Sequence, residues 1–317
     1  MDSGFKDQLV DRAHQLGFHA IGITSPSISK AILQAFENWL KDGKHASMHY
    51  MLRGADKRKD MSLILSDVKS VIVLAVNYHE KSAAKPGRNY GRVAQYAKSK
   101  DYHKVIEKKL KELSLWMQNH DPDCSTLYYV DTGPILEKVY AEKAGLGFIG
   151  KNTLLIHPMY GSWMFLSVIL VNKTLPIDQP INDSCGECTL CIQACPTGAL
   201  DTPYVLDARQ CISYWTIEHK EDIPSQMHSK IGDWIFGCDI CQNVCPYNQS
   251  IPVSDWVELL SASGTGQWIL FDQVLDLDNE HYQEKFQWSP LKRSKLAGLK
   301  RNASIVKKNV ESRRLSI

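Results

Sequence analysis

The sequence predicts a chain in three parts. An α/β (α+β) domain spans residues 1–178, a compact cysteine-rich module spans 179–250, and a small helical segment with a basic tail spans 251–317. Three observations predict this. Helical and strand periodicities alternate as far as Val171. Eight of the nine cysteines fall between Cys185 and Cys245. After Ser250 the pattern weakens to short apolar runs. With 317 residues, 44% of them hydrophobic, the chain can fill two cores, or one with an insert.

Phe5 to Leu16 reads as an amphipathic helix ended by Gly17, and His19 to Thr24 as a short strand. Ser29 to Lys41 reads as a second helix. His45 to Met61 gathers His45, His49, Arg53, Lys57, Arg58 and Lys59 with Met48, Tyr50 and Met51. That mix suits a pocket for an anionic ligand, or an ordinary exposed helix and loop. Val71 to Val76 is a strand buried on both faces. Lys81 to Arg92, rich in Gly, Pro, Lys and Arg, reads as a mobile loop.

Lys100 to His103 (K-D-Y-H) opens a long helix, with Asp101 placed to cap it. His103 then either does acid–base work or is simply a first-turn histidine beside its cap. Leu127 to Val130 is a strand ending in Asp131-Thr132-Gly133-Pro134, and a helix runs from Pro134, its first residue, to Ala144. Open α/β sheets bind ligands at such strand ends, so Asp131 is either a proton donor or a turn-forming Asp. Gly145, Gly147 and Gly150 spell G-x-G-x-x-G but follow a helix, so a dinucleotide site is not expected. They are expected to end the helix and to let backbone approach a flat ligand. Thr153 to His157 is expected to pair with Trp163 to Val171 across the turn at Pro158 to Gly161. Trp256 to Leu260, Trp268 to Val274 and Phe286 to Leu299 suggest short helices.

Cys185, Cys188, Cys191 and Cys195, followed by Pro196, are spaced C-x2-C-x2-C-x3-C, the run that wraps a 4Fe–4S cube and sends its fourth cysteine to a neighbouring cluster. Cys238, Cys241 and Cys245, followed by Pro246, form a second run lacking its first cysteine, with Ile235 in that place. Cys211 fills the gap. By the ferredoxin swap, Cys185, Cys188, Cys191 and Cys245 hold one cluster, and Cys195, Cys211, Cys238 and Cys241 the other. Two structural zinc sites are the alternative. Trp234 and Phe236 precede the second run and can shield a cluster. Cys124 is left as a plain thiol.

Eight thiols at ligand spacing imply a reducing compartment. Met1 to Arg12 is charged, unlike a signal peptide, and no apolar run reaches the roughly eighteen residues of a membrane span. A cytoplasmic, monomeric protein is expected. From Leu291 onward nine Lys or Arg meet one acid, Glu311, so the tail carries +8 and the rest −6 within a total of +2. The tail is either a polyanion-binding segment or a solvated, frayed end.

About 180 residues precede the cysteine runs, more than an electron carrier needs. V-D-T-G-P-I-L-E-K (Val130 to Lys138), A-G-L-G-F-I-G-K-N (Ala144 to Asn152), K-D-Y-H and the split cysteine pattern together resemble epoxyqueuosine reductases. W-S-P-L-K-R (Trp288 to Arg293) and K-R-N-A (Lys300 to Ala303) extend the resemblance weakly. It implies a nitroreductase-like fold and a cobalamin- and iron–sulfur-dependent reduction of epoxyqueuosine to queuosine in the tRNA anticodon loop. It makes Asp131 the proton donor, its pKa raised by burial against the corrin, with Asp101 and His103 positioning the substrate. Arg58, Asp131, Lys151, Asn152, Leu155 and Leu166 would contact cobalamin. The D-x-H-x-x-G signature of a histidine lower ligand is absent, since Ile106 stands where Gly should. Some relatives add C-terminal helical repeats, so tRNA contacts here are expected to be fewer or different. Lys292 to Arg314 and Lys81 to Arg92 are the candidates. A reduced ferredoxin or flavodoxin-type donor is the expected electron source. A small-molecule corrinoid reductase and a plain iron–sulfur carrier are the alternatives.

Overall fold

The computed structural model describes residues 3–312. Four antiparallel strands form the central sheet, in the order β1 (Ala20–Thr24), β2 (Ser70–Asn77), β7 (Met164–Val171) and β4 (Thr126–Tyr129). Every residue of β2 is buried, as its unbroken apolar run predicts. Alternate side chains serve opposite faces. Ile72, Leu74, Val76 and Ile169 meet α1 (Ser3–Gln15) through Leu9 and Ala13, and the long helix α5 (Tyr102–His120) through Ile106, Leu110 and Leu113. Val71, Val73, Val168 and Leu170 face α6 (Glu137–Lys143) through Tyr140 and Ala141. Cys124 is buried in the first of these cores.

Between β1 and β2 lie α2 (Lys30–Lys41), capped by Ser29, and the short helices α3 (His49–Arg53) and α4 (Ala55–Lys59). The His45 to Met61 stretch leans on the cysteine module: Lys44 accepts a bond from the Ala208 amide, and Ser47 Oγ lies 2.7 Å from the Tyr214 hydroxyl.

Several local expectations change. Thr153 to His157 does not pair with Trp163 to Val171. Instead β6 (Leu155–Ile156) pairs with β5 (Phe148–Ile149), because β7 is already flanked by β2 and β4. The glycines shape that ribbon: Gly145 takes a φ of 77° behind α6, and a Cβ on Gly147 would strike the Ile156 carbonyl. The helix after Asp131 starts at Glu137, leaving Pro134 in the turn. Trp256 to Leu260 holds only a 3-10 turn, Val257–Leu259.

Lys81 to Arg92 is not all loop. Its end enters β3 (Tyr90–Val93), which pairs with β8 (Trp234–Phe236) and β9 (Trp268–Leu270). This small sheet takes one strand from each of the three segments. Trp268 to Leu270, expected as helix, is that third strand, because Arg92 sits 5.0 and 4.8 Å from the Trp234 and Trp268 rings. Around it stand α8 (Ser225–Ile231), α9 (Ile240–Asn243), α10 (Phe271–Leu275), α11 (Asn279–Phe286) and α12 (Lys295–Ser312), while α7 (Leu190–Ala194) packs on α9. Phe286 to Leu299 is thus the end of α11, a 3-10 turn at Pro290–Ser294 and the start of α12. The tail through Ser312 is no frayed end, since Leu299, Ala303 and Val306 of α12 are fully buried. Arg313 and Arg314 lie outside the described residues. Among the described residues, no helix is long and apolar enough to cross a membrane.

Gly22 of β1 is where α6 comes closest to the sheet, and an added Cβ would run into the Ala144 carbonyl. Gly22→Ala is expected to lower stability by about 1–3 kcal/mol, read as a lower denaturant midpoint with unchanged slope.

Candidate active site and cluster module

Asp101 caps α5 and accepts the His103 amide at 3.2 Å. The same Oδ1 lies 2.6 Å from His103 Nδ1, and Oδ2 lies 3.0 Å from Lys292 Nζ. The Asp101 amide donates to the Trp288 carbonyl at 2.8 Å. The other imidazole nitrogen, His103 Nε2, stands 3.5 Å from Asp131 Oδ2, which also accepts from the Tyr102 hydroxyl at 2.8 Å. Helical spacing explains half of this, because Tyr102 and His103 open α5. Asp131 arrives from the turn behind β4 in a left-handed conformation, φ 58°, with its amide on Glu137 Oε1 at 2.9 Å. The strand-end rule that singled it out belongs to parallel sheets, and β4 is an antiparallel edge strand.

Asp131 stands in a recess. Its side chain is 65% exposed, yet burial is the largest single influence on its titration, so protein surrounds it while solvent still enters. Lys138 is in the same position and donates from Nζ to the Thr153 carbonyl at 2.6 Å. Thr153 also has a left-handed backbone, φ 65°.

Burial pushes the Asp131 carboxyl up, but His103 and Tyr102 outweigh it and hold the group below the usual carboxylate range. Burial opposes charge on His103, but Asp101 and Asp131 outweigh it and raise the imidazole to about 9. Asp101 is pushed up by burial and pulled further down by His103 and Lys292, to about 2. The shared proton therefore rests on His103, facing an ionised Asp131. Glu137 goes the other way: burial, then repulsion from Asp131, raises it well above its usual range.

The expected corrin contacts fall into separate places. Arg58 is buried, folds over Gly54 next to Pro134, and donates to the Tyr50 carbonyl at 3.4 Å. Lys151 and Asn152 lie by the first cysteine run: the Lys151 amide is 3.4 Å from Cys185 Sγ, and Lys151 Nζ is 2.7 Å from the Gly186 carbonyl. Asn152 is buried with Nδ2 lacking a partner among the described residues. Leu155 is buried in the core beneath α6, and Leu166 packs half-buried against it.

Cys185, Cys188, Cys191 and Cys245, with Asn152, Ile156, Leu190, Pro246 and Tyr247, line one hollow of ≈ 360 Å³, open solvent included. Burial raises Cys191 and Cys245, and the thiols of this group add to it. Cys211, Cys238 and Cys241 are raised by burial too, and each interacts with others of the set Cys195, Cys211, Cys238 and Cys241. Cys241 also senses Cys191, so the two groups adjoin. Such crowded thiols ionise together only around a cationic metal centre, and the donor set fits two cubanes. Among the described residues, no three His, Cys, Asp or Glu surround a point for a single ion.

Residues 184–248 match the family described as "4Fe-4S double cluster binding domain", and residues 58–132 match "Epoxyqueuosine reductase QueG, DUF1730". The curated epoxyqueuosine reductase of Gloeobacter violaceus is 39% identical over 303 residues, 93% of each chain. The chain belongs to the epoxyqueuosine reductase family.

Two solved epoxyqueuosine reductases superpose on it. One, with a tRNA-Tyr epoxyqueuosine-modified stem loop, is 30% identical with a TM-score of 0.89, covering 97% of this chain and 82% of that one. The other, from Bacillus subtilis, has its Asp-bearing catalytic loop swung out of the active site; it is 29% identical, with the same TM-score and coverage. Sequence reasoning missed Tyr102, Glu137 and Lys138 as site residues, and took Lys292 for a tRNA contact rather than a partner of Asp101. Each sits inside a family motif quoted above, which was the available signal.

The His103 pKa, raised above its unfolded value near 6.5, adds stability that is complete below that value and is lost as pH rises through about 9. An NMR titration of the ring is expected to give about 9. Asp101→Asn should bring it back towards 6.5 and remove the matching alkaline loss of stability. A wild-type value near 6.5 would contradict the assignment.

Proposed function

We infer that this epoxyqueuosine reductase draws its protons from the Asp131–His103 pair as it reduces epoxyqueuosine to queuosine. The observation that carries the reading is His103 Nε2 standing 3.5 Å from an Asp131 carboxylate that is exposed to a recess. Opening an epoxide to an alkene takes two electrons and two protons and releases one water. The oxygen departs only when protonated. When substrate covers the recess, Asp131 loses its solvation and burial favours its neutral form. The proton then passes from His103 to Asp131 and on to the departing oxygen. Asp101, held ionised by His103 and Lys292, keeps the imidazole aligned and favours its cationic form, so that His103 takes its next proton from solvent.

Cobalamin, when bound, would supply the low-valent metal that hands an electron pair to the strained ring. The chain's fit to it rests on the recess at Asp131, on buried Arg58 with a single long bond, and on the unpartnered Asn152 amide. Arg58, Lys151 and Asn152 would hold its polar edge, and Leu155 and Leu166 its apolar face. Cys185, Cys188, Cys191 and Cys245 would bind the cluster on the Asn152 side, and Cys195, Cys211, Cys238 and Cys241 the second. The common hollow of the first four and the mutual influence of the second four support this division. A reduced ferredoxin or flavodoxin-type donor, a monomeric enzyme and a nitroreductase-like N-terminal domain belong to the same proposal.

The substrate would be the anticodon loop of tRNA, as the solved relative's stem loop suggests. Beside Asp101, Trp288 is 62% exposed and offers a face for base stacking. Lys292 and Arg293, about half exposed, flank it and suit phosphate. Lys85 and Arg92 of the 81–92 loop, which rest on Asp233 and tryptophan rings, are further candidates.

Asp131→Asn should lower turnover of the modified stem loop by about 10²–10⁴-fold while iron content and corrin absorbance stay unchanged. Undiminished turnover would remove Asp131 from proton delivery. Cells lacking the gene should accumulate epoxyqueuosine in tRNA nucleoside digests.

A further inference from the structure

The K-R-N-A motif has no part in the chemistry above, yet it contains a fully buried asparagine. Asn302 of α12 donates from Nδ2 to two carbonyls, Thr216 at 2.8 Å and Ile235 at 2.9 Å. Its Oδ1 accepts from Arg301 Nε and Nη2 at 3.1 and 2.9 Å. Arg301 in turn donates to the carbonyls of Trp215 at 2.8 Å, of His219 at 3.1 Å and of Glu221.

These carbonyls belong to two segments that each deliver a cysteine. Thr216 lies in a π-helix, Tyr214–Glu218, tied to Cys211 by the bond from the Trp215 amide to the Cys211 carbonyl. Ile235 lies in β8, just before Cys238. The segments also meet directly: Thr216 Oγ1 accepts the Gly237 amide at 3.0 Å and donates to the Ile212 carbonyl at 2.8 Å. Cys211 stands alone in sequence, so something other than a C-x2-C spacing must fix it beside Cys238. Packing α12 needs only its apolar residues, and a buried amide there costs free energy unless bonded. π-helical turns, moreover, gather at functional sites.

We propose that Asn302 and Arg301 are positioning residues for the second cluster. They clamp the Cys211 turn to the Cys238 strand, so the C-terminal helix is part of that cluster's site although it supplies no thiolate. This rests on the ligand division given above. Asn302→Leu and Thr216→Val, both near-isosteric, test it in the full-length chain reconstituted anaerobically with iron and sulfide.

Each variant should retain about four irons where the wild type holds about eight. The reduced spin-resonance spectrum should become that of one isolated cluster, with native far-ultraviolet circular dichroism. Eight irons and an unchanged spectrum in both variants would overturn the proposal. So would loss of both clusters from Thr216→Val, because the clamp touches only one. Cys211→Ala run alongside separates the two ideas: if it too keeps eight irons, the ligand division has failed rather than the clamp.

Discussion

Asp101 does three jobs with one carboxylate. It starts α5, it holds His103 by Nδ1, and it binds Lys292 from the C-terminal segment. A buried carboxylate with those partners stays ionised. That fixed negative charge keeps His103 cationic, and the cationic ring keeps Asp131 a carboxylate. The reactive end of the molecule is a chain of charges, each set by the next.

The same residue ties distant parts of the chain together. The Trp288 carbonyl takes the Asp101 amide, so the segment carrying Lys292 and Arg293 is docked on the start of α5. Arg293 forms a double bond pair with Glu218, both at 2.9 Å, at the end of the π-helix that follows Cys211. The C-terminal segment thus touches the Asp101–His103 pair at one end and the cysteine module at the other. The three-stranded sheet with one strand from each segment does the same mechanically.

Much of this was legible in the sequence where the signal is local. Cysteine spacing is local, so the two runs and the stray Cys211 could be grouped before any fold was known. The Asp101 cap and the buried β2 run are local too. What failed was pairing across distance. Nothing in Thr153 to His157 tells whether it joins β5 or β7, because short apolar strands fit either neighbour, and the glycines that decide it act through close backbone contact. The charge on Asp131 depends on distance too, because the imidazole that outweighs its burial is supplied by a separate element. Lys292 looked like one more charge in a basic tail until the fold placed it on Asp101.

The most direct test is the pH dependence of turnover on a modified stem loop under saturating reductant. If His103 stores the proton, kcat falls as pH rises through about 9, and Asp101→Asn moves that fall to lower pH. An alkaline limb that stays in place in Asp101→Asn, or is absent from the wild type, would contradict the account.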